Sequence, residues 1–156
     1  MFKKFMCLMA AVVLVAACES GPGDGSMSGA GGAGAGAPGS QSDFVVNVGD
    51  RVFFGTDKSD LTAEATATLD RQAAWLKKYP AKSVTVEGHA DERGTREYNL
   101  ALGERRASSV KNYLVAAGVD ASHVTTISYG KERPAVVGSN EAAWAQNRRG
   151  VTVVGE

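Results

Sequence analysis

Between Val84 and Ala117 a strand signal, a charged loop and a long amphipathic helix follow one another without a break. Val84 and Val86 alternate with Thr85 and Glu87, the period of a half-buried strand. The loop that follows, His89 to Glu97, carries five charged side chains besides its histidine. The helix then places Tyr98, Leu102, Val110, Tyr113 and Ala117 on one stripe, at spacings of four, eight, three and four. Arg106 falls inside that stripe. A guanidinium there must snorkel or meet an anion, because burying it unpaired is costly. A salt bridge to Asp91 or Asp57 would only tie loop to helix, whereas a bound anion would make Arg106 part of a site.

The rest of the chain arranges itself around this unit. Lys3 and Lys4 precede an uncharged apolar run of 13 residues, Phe5 to Ala17. That is too short to span a bilayer as a helix but suits a signal sequence, giving residues 1–17 as a leader. It ends in Val15-Ala16-Ala17-Cys18, which resembles a bacterial lipobox and implies lipidation of Cys18 with an acyl chain such as palmitate. Glu19, where some inner-membrane lipoproteins carry Asp, favours export to the outer membrane. Cys7 leaves with the leader and Cys18 takes the lipid, so the domain holds no disulfide. Without Lys3 and Lys4 the 17 basic residues fall to 15 against 17 acidic ones, a charge of −2 that does not point to a nucleic-acid partner.

Residues 18–43 are rich in Gly, Ala and Ser and read as a flexible tether, with a root-mean-square span of roughly 25–30 Å and a full reach of about 80 Å. Residues 44–156 then make one domain. Phe44 to Phe54 supplies a first strand region, interrupted at Gly49. A helix capped by Asp60 or Thr62 reaches Tyr79 with Leu61, Ala65, Leu69, Ala73 and Leu76 as its apolar stripe. Trp75 flanks that core. A helix from Glu97 to Ala117 stops at Gly118. A strand over Val124 to Tyr129, a helical patch at Glu141 to Gln146 and a last strand ending at Val154 complete the chain. Strands alternating with two long helices make an α/β two-layer sandwich, with helices on one sheet face.

Catalytic and metal patterns are weak. No nucleophile elbow or phosphate loop occurs, and His89, Asp91 and Glu92 with the distant His123 make a poor zinc set. Asp57, Lys58 and Asp60 are a calcium-loop fragment without its remaining ligands. No cofactor, no metal and no enzyme activity are expected. A recognition surface remains, in which Asp91 could receive an ammonium and Arg106 a carboxylate in fork geometry.

The segments TVEGHADERGT, FFGTDKSDL and SYGKERPAVVGSNEAAWAQNRR together resemble the OmpA-like peptidoglycan-binding domain family, the peptidoglycan-associated lipoproteins in particular, over Val45 to Val154. The resemblance implies an OmpA-like sandwich, a mixed β-sheet packed on helices, and a ligand: the meso-diaminopimelate of peptidoglycan stem peptides. It implies that Asp91, Arg106, Asp57 and Asn99 line the binding site, with Arg148 or Arg149 beside them. Where many relatives carry an aromatic or leucine this chain has Thr56. The resemblance also implies that Glu87, Tyr129 and Lys131 face the soluble periplasmic β-propeller protein of the Tol system. The whole would anchor the outer membrane to the cell wall from the periplasm, serving envelope integrity and cell division. Two rivals stay open: an OmpA-like lipoprotein that grips peptidoglycan without a Tol partner, and a cell-wall hydrolase.

Overall fold

A computed structural model describes residues 36–80 and 82–155. The leader, Cys18 and the tether up to residue 35 lie outside the described residues. In chain order the elements are α1 (Gln41–Asn47), β1 (Arg51–Phe53), α2 (Ala63–Lys78), β2 (Val84–His89), α3 (Arg96–Ala116), β3 (Val124–Gly130), α4 (Glu141–Asn147) and β4 (Arg149–Val154). A short 3-10 turn, Ala121–His123, leads into β3.

The four strands form one mixed sheet in the order β1-β4-β2-β3. β2 and β3 run parallel, and α3 supplies the crossover that parallel neighbours require. β4 lies antiparallel to both β1 and β2, with Val84 opposite Val154 and Gly88 opposite Gly150. Helices α2 and α3 cover one face. Leu69, Ala73 and Leu76 from α2 meet Ala107, Val110 and Leu114 from α3 over Val52, Val84, Val86, Val124 and Val154 of the sheet. Each long helix begins as its sequence signals: the Thr62 hydroxyl accepts the Ala65 amide, and the Thr95 hydroxyl accepts the Tyr98 amide.

Three expectations need correcting. The strand expected from Phe44 is helical through Asn47, in an α1 that starts at Gln41, within the stretch read as tether. The Ser40 hydroxyl caps it by accepting the Asp43 amide, and Gly49 breaks away at φ +91° before a β1 of three residues. Phe44 is fully buried and packs edge-on against Trp75 at 4.9 Å, so Trp75 belongs to the core rather than its border. On α3, Tyr98 is 45% exposed and lies outside the stripe, which instead runs through Asn99, Leu102, Arg106, Val110 and Leu114.

α3 lies unusually close to the sheet where Gly103 crosses Gly88. A Cβ on Gly88 would stand 1.8 Å from the Gly103 carbonyl oxygen, a backbone clash that no rotamer relieves. Gly88→Ala is therefore expected to push α3 off the sheet and destabilise the fold by about 1–3 kcal/mol or more. Urea titration checks this, and a midpoint matching the parent would show that the helix accommodates the methyl group.

Candidate functional site

The close helix–sheet approach brings the middle of α3 to the end of β2, and there Arg106 is fully buried. Its guanidinium makes no salt bridge to Asp91 or Asp57. Instead Nε donates to the Lys58 carbonyl at 2.8 Å, Nη1 to the His89 carbonyl at 2.8 Å and Nη2 to the Gly55 carbonyl at 3.1 Å. One side chain thus fixes the β1–α2 loop and the end of β2 relative to α3. Burial lowers its pKa to about 10, with the charges of Asp91 and Asp57 opposing the shift, so the group stays a cation at neutral pH. Three of its five N–H groups are engaged by these carbonyls.

Asp91 follows β2 by two residues, with its side chain 9% exposed. Burial pushes its carboxyl up, but hydrogen bonds from Arg93, side chain and backbone, and from Arg148 outweigh burial and hold it below its usual range. Asn99, at the start of α3, donates to the carbonyls of Arg93 at 2.6 Å and Thr95 at 3.0 Å, which pins the loop. Asp57 sits at φ +58°, turned so that its Oδ1 accepts the Tyr98 hydroxyl. Together with Thr56, Arg93, Gly94 and Leu102 these residues line a cavity of about 320 Å³. Two carboxylates and two guanidiniums from three separated segments converge on it, a composition suited to a small zwitterion.

The structure thus brings together Asp57, Asp91, Asn99 and Arg106. Arg148 stands behind them: it donates to the Phe54 carbonyl, to Asp91 at 3.4 Å and to Glu141 at 2.6 Å, and it does not line the cavity. Arg149 lies apart, donating to the carbonyls of Asn147 and Arg133. Arg148 caps the end of α4 and Arg149 opens β4, and only Arg148 turns toward Asp91. Arg93 and Trp144 escaped the sequence reading. An Asp followed two residues later by Arg and then Gly is an Asx-turn pattern, and the Arg93 amide does donate to Asp91 Oδ1 at 3.1 Å. The Trp144 contact, across some fifty residues, leaves no local trace.

Glu87 and Tyr129 flank His89, whose Nε2 lies 3.4 Å from Glu87 Oε2 and whose ring is 5.5 Å from that of Tyr129. Lys131 reaches elsewhere, donating to the carbonyls of Glu92 and Gly94. His89 is 1% exposed with neither ring nitrogen hydrogen-bonded. Burial first, then the charge of Arg149, lowers its pKa from 6.5 to about 4. The unfolded chain takes up this proton near pH 6.5 and the fold only near pH 4, so stability should be flat above that window and fall through it as pH drops. The loss should not exceed about 3 kcal/mol. Urea midpoints across pH 4–7 for parent and His89→Asn check it, and identical slopes would exclude His89 as the cause.

The sequence matches the OmpA family over residues 53–148. It is 63% identical over 118 residues to the peptidoglycan-associated lipoprotein of Rhizobium meliloti (strain 1021), covering 76% of this chain and 67% of that protein. With the peptidoglycan-associated lipoprotein of Mesorhizobium japonicum it shares 52% identity over 151 residues, covering 96% and 90% of the two chains. The crystal structure of the peptidoglycan-associated lipoprotein from Burkholderia pseudomallei superposes with a TM-score of 0.66 at 40% identity, covering 68% of this chain and 90% of that one. The chain belongs to the OmpA family and, within it, to the peptidoglycan-associated lipoproteins.

Proposed function

We propose that the chain is a non-catalytic, lipid-anchored outer-membrane protein that holds peptidoglycan through the meso-diaminopimelate of its stem peptides. The observation that carries this reading is the cavity in which Asp57, Asp91, Arg93 and Arg106 converge. The free end of diaminopimelate bears one ammonium and one carboxylate. Asp91 is the acceptor for the first, and the N–H groups of Arg106 left over from its carbonyl contacts are donors for the second. Asp91 and Arg106 are already fixed in place, so these charge-assisted contacts spend little on ordering the two residues themselves. The anchor at Cys18 and the periplasmic position of the domain belong to the same reading.

Calorimetric titration of the full chain with a diaminopimelate-containing stem tripeptide is expected to show saturable binding. Absence of heat, together with no retention on purified sacculi, would sink the reading. A Tol-system β-propeller partner is part of the proposal too. The sheet face away from the helices offers it Glu87 and Tyr129, with the half-exposed Phe53 and Ile127 as apolar contacts. A pull-down with that propeller protein should capture the parent and lose Glu87→Lys. Equal capture of both would move the contact elsewhere.

A further inference from the structure

In the free chain the Asp91 carboxylate already has a cation. Arg93 donates Nη2 to Oδ2 at 2.7 Å and Nε to Oδ1 at 3.1 Å, and its backbone amide adds a third contact to Oδ1. Arg148 approaches Oδ2 from behind at 3.4 Å. Each Asp91 oxygen already accepts two N–H groups, Oδ1 both from Arg93 and Oδ2 one from Arg93 and one from Arg148, so a ligand ammonium gains a place on the carboxylate only where Arg93 gives one up. Arg93 is braced there: its guanidinium lies 4.2 Å from the centre of the Trp144 ring, and the Trp144 indole N–H is tied to Glu92 at 3.0 Å. Yet its side chain is 38% exposed and lines the cavity, so its way out leads to solvent.

Granting that the cavity takes the diaminopimelate end of a stem peptide, as proposed above, we propose that Arg93 is the site's built-in competitor and selects which ligands enter. The ligand ammonium reaches Asp91 only as the Arg93 guanidinium leaves it, and Trp144 is the brace that sets how often this happens. A ligand that brings a carboxylate alone meets Arg106 but has nothing to give Asp91 in exchange, so it cannot unseat Arg93. Apparent affinity is reduced by the fraction of time Arg93 spends away from its seat. The two-pronged guanidinium–carboxylate contact is a stronger competitor than a lysine ammonium would be.

The test titrates the full chain with two tripeptides, one carrying meso-diaminopimelate and one carrying 2-aminopimelate, which lacks the distal amino group. Arg93→Gln should bind the first about tenfold tighter than the parent, because the competitor is gone. The second should bind both proteins within about twofold. In the parent, the diaminopimelate peptide should also shift Trp144 emission as the guanidinium leaves the ring, over a constant background from Trp75, which is seated among Phe44 and Tyr79. Trp144→Leu keeps Arg93 but removes its brace, and should tighten binding in the same direction by less. A parent that binds neither peptide overturns the cavity reading itself. A parent that binds the diaminopimelate peptide, with Arg93→Gln and Trp144→Leu binding it no tighter, leaves that reading intact and overturns the competitor.

Discussion

Arg106→Ala is expected to remove most of the domain's stability margin and its ligand affinity together. Truncation leaves the buried His89 carbonyl and the part-buried Lys58 and Gly55 carbonyls without the donor they share. Each orphaned acceptor costs about 1–3 kcal/mol, so the three together give roughly 3–9 kcal/mol. That is a large fraction of a small domain's stability of about 5–15 kcal/mol. Urea unfolding measures it, and a loss below about 1 kcal/mol would show that water replaces the guanidinium. Because this variant confounds folding with binding, the ligand role is read from Arg106→Lys, which keeps the charge but not the fork. Replacing diaminopimelate by lysine in the peptide deletes the distal carboxylate. The deletion should weaken the parent by about tenfold or more and Arg106→Lys much less. Equal weakening in both would place the carboxylate elsewhere.

Asp91→Asn should have the second-largest effect, for a different reason. It removes the anion that Arg93 and Arg148 share, and Arg148, 8% exposed, keeps the Phe54 carbonyl but only Glu141 as a counter-charge. Breaking one partner out of a buried pair costs about 3–5 kcal/mol, and the surviving Glu141 contact puts the expectation near the lower end. The pH dependence identifies the cause. Because the folded Asp91 carboxyl is held below its ordinary value, its contribution is fully present above the unfolded carboxyl pKa of about 3.9 and is lost as pH falls through the lower folded value. The parent should lose this stability in acid and Asp91→Asn should not. That window lies below the one expected for His89, so extending the urea midpoints below pH 4 separates the two. Stem-peptide binding should fall with the same substitution, and a variant that binds like the parent would leave Asp91 a purely structural residue.

What was legible in the sequence was what breaks a local pattern. Arg106 announced itself as a charge inside an apolar helical stripe, and Asp91 as an acid in the polar loop feeding the same helix. The two-layer sandwich followed from elements whose periods differ clearly, such as Val84–Val86 against Leu69–Ala73–Leu76. α1 is not evident from composition, because Phe44-Val45-Val46 suits a strand and only the cap at Ser40 signals a helix. For Tyr98 the spacing of four from Leu102 suits either edge of a stripe and does not decide between core and surface. Its hydroxyl instead finds Asp57 at the cavity rim. Arg93 and Trp144 depend on α4 folding back over the loop, a tertiary fact with no periodicity behind it.

α1 and the cavity sit at opposite ends of the same strands. α1 is stitched to the sheet where β4 ends, the Val154 amide donating to Gln41, and Val154 pairs with Val84 at the start of β2. The cavity opens beyond His89, at the other end of β2. A pull between the chain's N-terminal side and a ligand held in the cavity therefore runs lengthwise along the sheet, through β1 and the β4 strand paired with it. Their ladder hydrogen bonds lie across that line, so the load falls on all of them at once in shear rather than opening them one by one like a zipper. The first part to yield under traction would be the seat of α1, where Phe44 and Trp75 would come apart while the cavity stays closed on its ligand.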